Sequence, residues 1–236
     1  MSSRTRASSP GGTSIQSGLL AARPAAGIPD RYYWATDVEV MFRDTGVAWQ
    51  VVTSKFVPVW RTGQYVQGTL YQQGWDNTSA PVNLIESFVF PVYRTTTFDR
   101  IGLRVMAVGA AGAAARVGIY TDDGNGYPAT LVPGTDVGPL DCTIGGWREN
   151  VINVQLAPGL YWLAEIYNDN TIQIRYQAPA NIALGSPLGH VTSISDSLGT
   201  GWYVAQAYGA LPAAFPAGAT MELVFHMTRV RVASQP

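Results

Sequence analysis

The chain of 236 residues is short of several things, and each shortage narrows what it can be. It has one cysteine, Cys142, so no intrachain disulfide can form. Small secreted domains lean on several such bridges, so folding in a reducing compartment, or in one where staples are unnecessary, is expected. It has two histidines, His190 and His226, and neither stands at a metal-ligand spacing such as His-Glu-x-x-His. Charge is scarce, at 13% of residues with a net of −1, where about a quarter is usual. That balance gives no general pull toward nucleic acid or an anionic membrane. Of 15 basic residues only Lys55 is lysine, and no Gly-Lys pair exists, which removes a P-loop. No apolar run approaches the roughly 18 residues of a spanning helix. The opening Met1-Ser-Ser-Arg-Thr-Arg leads into Ser, Pro and Gly, so neither a signal peptide nor membrane insertion is expected.

What is plentiful is apolar material, 47% of residues, punctuated by 25 Gly and 15 Pro. That is how short strands joined by many turns are written. Ile101, Leu103, Val105 and Ala107 alternate with Arg100, Gly102, Arg104 and Met106, a strand with one buried face. Ile152, Val154 and Leu156 repeat the pattern, as do Ile172, Ile174 and Tyr176, while Leu160–Tyr167 is apolar on both faces, as a central strand would be. The one Ala-rich run, Ala110–Ala115, is too short for a helix and is interrupted by Gly112. The expected fold is all-β, with an antiparallel, jelly-roll-like β-sandwich over residues 80–236.

Three segments precede it. Residues 1–22 are small and polar and should not order alone, which makes them a flexible arm. Residues 23–54 hold three β-prone runs (Tyr32–Ala35, Val38–Arg43, Ala48–Thr53) joined by Asp/Thr/Gly turns. They carry Tyr32, Tyr33, Trp34, Phe42 and Trp49, more aromatic surface than three short strands can cover. Residues 55–79 read as a connector.

Catalytic chemistry is hard to assemble. His226 lies on a strand, on the face opposite Leu223, Phe225 and Met227, and His190 lies in a loop. Carboxylates for glycoside cleavage would have to come from Asp76, Glu86, Asp99, Glu149, Glu165 or Glu222, and none sits in a distinctive motif. Thr121-Asp-Asp-Gly-Asn-Gly-Tyr-Pro has the oxygens of a calcium loop but lacks its distal Glu, and reads instead as a hairpin turn. No enzyme activity, metal or cofactor is expected. Glycan binding is better supplied. Trp75, Tyr127, Trp147, Trp202 and Tyr203 fall in loop-like settings where rings could stack on sugars. Asp76, Arg148, Asn168 and Asp169 lie near them as hydroxyl partners.

Two stretches resemble bacteriophage structural proteins. Arg23-Pro-Ala-Ala-Gly-Ile-Pro-Asp-Arg-Tyr-Tyr-Trp-Ala-Thr-Asp with Met41-Phe-Arg-Asp-Thr-Gly-Val-Ala-Trp looks like a hairpin module of phage tail and fibre proteins, with Val38-Glu39 where a Gly commonly shapes the turn. Pro91-Val-Tyr-Arg-Thr-Thr-Thr-Phe-Asp-Arg-Ile-Gly, Val117-Gly-Ile-Tyr-Thr-Asp-Asp-Gly-Asn-Gly-Tyr-Pro, Leu156-Ala-Pro-Gly-Leu-Tyr-Trp-Leu-Ala and Ala210-Leu-Pro-Ala-Ala-Phe-Pro-Ala-Gly-Ala-Thr resemble a C-terminal fibre domain. The resemblance implies a fibre or spike subunit of a phage-like particle, gene-transfer agents included, located on the virion and assembled in the bacterial cytoplasm. Its partners would be other virion proteins through the N-terminal region, further copies of itself as a homotrimer, and host cell-surface polysaccharide. A capsid-decoration or tail-tip protein without receptor binding is the alternative.

Overall fold

Alternation along β-prone runs fixes which face of a strand meets the core, and the computed structural model follows it closely. It describes residues 15–38, 40–54, 59–68, 76–177, 199–222 and 224–235. The chain divides into two compact units, residues 1–58 and 59–236. Among the described residues every regular element but one is a strand, the exception being a single 3-10 turn at Leu20–Ala22, and no helix is long and apolar enough to cross a membrane.

The first unit is a four-stranded sheet in the order β1 (Ile15–Gly18), β2 (Tyr32–Ala35), β3 (Val40–Asp44), β4 (Trp49–Ser54). β2, β3 and β4 form the expected antiparallel meander. β1 departs from expectation: it lies within the segment read as a flexible arm, yet pairs in parallel with β2 from Ile15↔Tyr32 to Gly18↔Ala35. Backbone pairing does this without much side-chain burial, which is why polar composition alone missed it.

Asp44 organises the unit. Its buried carboxylate accepts the N–H groups of Gly27 (3.1 Å), Ile28 (3.1 Å) and Gly46 (2.8 Å) and pairs with Arg31 at 2.7 Å. The aromatics are covered from within the unit as well. The Arg23 guanidinium lies 4.1 Å from the Phe42 ring centre, Arg31 lies 4.9 Å from that of Trp49, and Tyr33 meets Trp49 edge-on at 6.2 Å. With Tyr33, Phe42 and Trp49 covered in this way, the aromatic surface left for a partner is smaller than a count of strands implies.

The second unit begins inside the stretch expected to be a connector, with Trp60 stacked on Phe90 at 5.9 Å and with β5 (Tyr65–Val66) and β6 (Asp76–Ser79). Its further strands are β7 (Leu84–Val92), β8 (Thr96–Ala107), β9 (Ala114–Asp122), β10 (Pro128–Leu131), β11 (Leu140–Asp141), β12 (Gly146–Leu156), β13 (Gly159–Tyr167), β14 (Gln173–Gln177), β15 (Gly201–Ala205), β16 (Thr220–Glu222), β17 (Phe225–His226) and β18 (Thr228–Ser234). They make two seven-stranded sheets. One runs β10-β9-β13-β7-β15-β16 with β11 on β9. The other runs β17-β14-β8-β18-β5 with β12 on β8 and β6 on β14. Pairing within both is antiparallel.

The two sheets share one core. Phe90, Ile119 and Leu163 from the first meet Ile101, Leu103 and Val230 from the second, all buried. The other face of the first sheet carries a second cluster, where Ile85, Tyr120 and Trp162 lie with Leu211 and Phe215 of the 206–219 loop. That double cover accounts for β13 being apolar on both faces. The Asp122–Pro128 turn is a hairpin turn as expected: Asp122 accepts the Gly124 N–H, Asp123 accepts that of Asn125, and Gly124 and Gly126 adopt φ of 91° and 81°.

Candidate binding groove and a buried ionic cluster

Register on the second sheet gathers residues that are far apart in the chain. β8 pairs with β12 so that Arg104 faces Trp147 and Gly102 faces Glu149, and it pairs with β18 so that Gly102 also faces Arg229. A Cβ on Gly102 would sit 2.1 Å from the Arg148 carbonyl oxygen and 2.8 Å from Glu149 Cγ. Glycine at this position leaves room for two side chains to meet across β8. Arg229 Nη2 donates to Glu149 Oε1 at 2.9 Å, and Tyr65 Oη donates to Glu149 Oε2 at 3.0 Å. The guanidinium lies 3.0 Å from the Trp147 ring centre and 3.7 Å from that of Tyr65. Burial lowers the Arg229 pKa against the opposing pull of Glu149. An ion pair between Arg231 and Asp99, bonded twice at 2.8 and 2.6 Å, continues the row on the same sheet.

Beside this row lies a groove of about 370 Å³ walled by Trp60, Tyr65, Tyr93, Trp147, Met227 and Arg229. Its walls combine aromatic rings with polar groups, of which the Tyr65 hydroxyl and the Arg229 guanidinium are held by Glu149. Such a cleft suits a ligand with flat apolar patches and several hydroxyls.

The second arrangement lies inside the unit. Glu165 on β13 is directly opposite Glu86 on β7, so two carboxylates share one face at adjacent positions. His226 enters from β17. Its Nδ1 lies 2.5 Å from Glu165 Oε1 and 3.0 Å from Glu86 Oε2, and its ring packs at 5.1 Å from that of Phe88. Thr228 Oγ1 donates to the other Glu165 oxygen. All three ionisable residues are at most 4% exposed. Burial pushes the Glu86 carboxyl up to about 7 against the pull of His226. His226 is held well above its ordinary value, because the two carboxylates outweigh the burial that opposes its charge. A carboxylate pair can cleave a glycoside that reaches between its members, but these two are buried.

Among the described residues, the positions singled out from sequence fall in several places. Trp147 lines the groove, and the neighbouring Arg148 donates its Nε to the Trp147 carbonyl. Tyr127 and Trp202 come together at 5.1 Å, but Tyr127 Oη donates to the Pro216 carbonyl and Trp202 Nε1 to that of Gly126, and both pack on the second cluster. Asn168 and Asp169 tie the 108–114 loop: Asn168 accepts the Ala114 N–H and donates to the Gly112 carbonyl, while Asp169 accepts the Ala110 N–H. Asp76 is exposed at the start of β6, and Tyr203 lies on β15 opposite Glu86. Trp75 and His190 lie outside the described residues.

His226 is buried, although it lies on the face of its strand opposite Phe225 and Met227. β17 is only two residues long and both are buried, so the simple alternation fails there. Tyr65, Tyr93 and Arg229 of the groove and Glu86 and Glu165 of the cluster were not singled out as binding residues. For the two glutamates a signal existed: each is an acidic residue in the middle of an apolar strand, which demands a buried partner. No family model matches the chain, and no curated protein matches it.

Proposed function

We propose that the chain is a non-catalytic structural and attachment subunit of a phage-like particle, joined to it through the N-terminal unit and contacting host surface glycan through the larger one. The observation that carries the glycan contact is the groove in which Trp147, Tyr65 and Tyr93 stand as walls around an arginine fixed by Glu149. Pre-positioned rings and a pre-positioned guanidinium lower the ordering cost of binding a hydroxyl-rich ligand. The larger unit is taken as a β-sandwich, with jelly-roll connectivity as the finer expectation. Assembly with virion proteins, and trimerisation along a fibre axis, rest on the resemblance of residues 23–54 to a phage hairpin module. Exposed Val51 and Val52 on edge strand β4 offer a surface for either. Catalysis is not part of the reading, because the carboxylate pair Glu86–Glu165 is buried.

One observation favours a purely structural role instead: Arg229 already occupies a face of the Trp147 ring. Binding of the full chain to an array of bacterial surface polysaccharides separates the two readings. The attachment reading expects a glycan hit that Trp147→Ala weakens about tenfold, the worth of one ring stack. Absence of any hit, or binding unchanged in that variant, would overturn it.

A further inference from the structure

The buried cluster leaves a carboxylate oxygen unpaired. Glu86 and Glu165 present adjacent carboxylates, with the buried Tyr167 hydroxyl also near Glu165, and few hydrogens reach their oxygens. Thr228 Oγ1 gives one, to Glu165 Oε2. His226 Nδ1 can direct a single proton, and Glu165 Oε1 at 2.5 Å takes it. Glu86 Oε2 lies 3.0 Å from the same nitrogen yet has no hydrogen bond, although Glu86 is only 4% exposed. An unsatisfied carboxylate oxygen in a core costs more than the bond it lacks. Three potential ligand atoms, one from each of Glu86, Glu165 and His226, lie within 4.8 Å of one another.

The charges point the same way. Both carboxylates ionise together only at a cost: burial, with Glu165 directly opposite, pushes the Glu86 carboxyl up to about 7, and one imidazolium offsets a single charge. A doubly charged cation with a neutral imidazole would balance both and bond to the orphaned oxygen as well as to Nδ1. One nitrogen and carboxylate oxygens form a donor set used by zinc and manganese rather than by calcium or magnesium, which take oxygen alone.

We propose that Glu86, Glu165 and His226 form a structural site for one divalent transition cation, zinc before manganese, held between the two sheets. The cation ties β7 and β13 of one sheet to β17 of the other. The site stands independently of any glycan contact. Because its ligands are buried, the ion enters as the chain folds, and metal binding adds to folding stability.

The test uses the untagged full chain, unfolded with a chelator and refolded with Zn²⁺, Mn²⁺, Mg²⁺ or no metal. Elemental analysis should find close to one zinc per chain, and the zinc-refolded protein should melt several degrees above the metal-free one, with Mg²⁺ giving no rise. Glu86→Gln keeps the side-chain shape and should lose both the metal and the rise. Should that variant fail to fold, Co²⁺ refolding of the wild-type chain reads the same site, with visible absorption bands of nitrogen and oxygen ligation. Refolded wild-type chain without stoichiometric metal, or full metal retention by Glu86→Gln, would overturn the site and leave a cluster balanced by a shared proton.

Discussion

Replacing Gly201 with alanine should loosen the strand that runs beside the buried cluster. The position is ordinary extended backbone, so the effect comes from space alone. An added Cβ would lie 1.7 Å from the Ser87 carbonyl oxygen, 2.8 Å from its carbon and 3.2 Å from Phe88 Cα. Close carbon–oxygen contacts stop near ~3.3 Å, so the shortfall is about 1.6 Å (3.3 − 1.7). All three neighbours are backbone, and no rotamer relieves them. β15 would have to move by about a third of the ~4.8 Å strand spacing, against a ladder registered from Gly201↔Phe88 to Ala205↔Leu84. Overpacking typically costs about 1–3 kcal/mol, and a backbone clash belongs at the upper end. For a domain of this size about 3 kcal/mol lowers Tm by roughly 6–12 °C. Gly209→Ala is the control, because nothing lies within 4 Å of its added Cβ. Circular dichroism melts of the full chain compare the two. A Gly201→Ala transition within 2 °C of wild type would refute the reasoning, since it would mean that β15 does not sit against β7 at this spacing.

Acid should weaken the first unit through Asp44. Burial raises its carboxyl, but the N–H groups of Gly46, Ile28 and Gly27, together with Arg31, prevail and bring it down to about 2. A carboxyl depressed in the folded state lends stability that is complete above its unfolded pKa of ~3.9 and is lost as pH falls toward 2. The Gly27, Ile28 and Gly46 amide resonances should therefore titrate with a midpoint near 2, and a midpoint near 4 would contradict the hub. At the edge of the same sheet, Val51→Lys should lower the mass of any oligomer to that of the monomer if β4 is the contact; light scattering reads this, and an unchanged oligomer moves the interface elsewhere.

Strands that bury one face declared themselves. In β12, Ile152, Val154 and Leu156 are buried while Val151, Asn153 and Gln155 are exposed, which is the period of two written directly in the sequence. β1 did not, because Ile15, Gln16 and Ser17 are exposed and the strand is held by backbone bonds to β2, which no side-chain pattern records. The start of the second unit was obscured for a related reason. Trp60 looked like part of a connector, yet it stacks on Phe90, thirty residues further along.

The sites were legible only in part, because both are products of register. Trp147 could be nominated as an aromatic near polar residues. That it would meet Arg229 and Tyr65 depends on β8 lying between β12 and β18, and on the missing side chain at Gly102. The cluster is one step further removed. Glu86 and Glu165 face each other because β7 and β13 pair with Leu163 opposite Phe88 and Ala164 opposite Ser87, and a slip of one residue would send one carboxylate to the opposite face. The sequence could state that each glutamate, set in an apolar strand, needs a partner of opposite charge. Who that partner is depends on long-range pairing. His226 supplies one positive charge to two carboxylates, so the need seen in the sequence is met only in part by the side chains that the fold brings there.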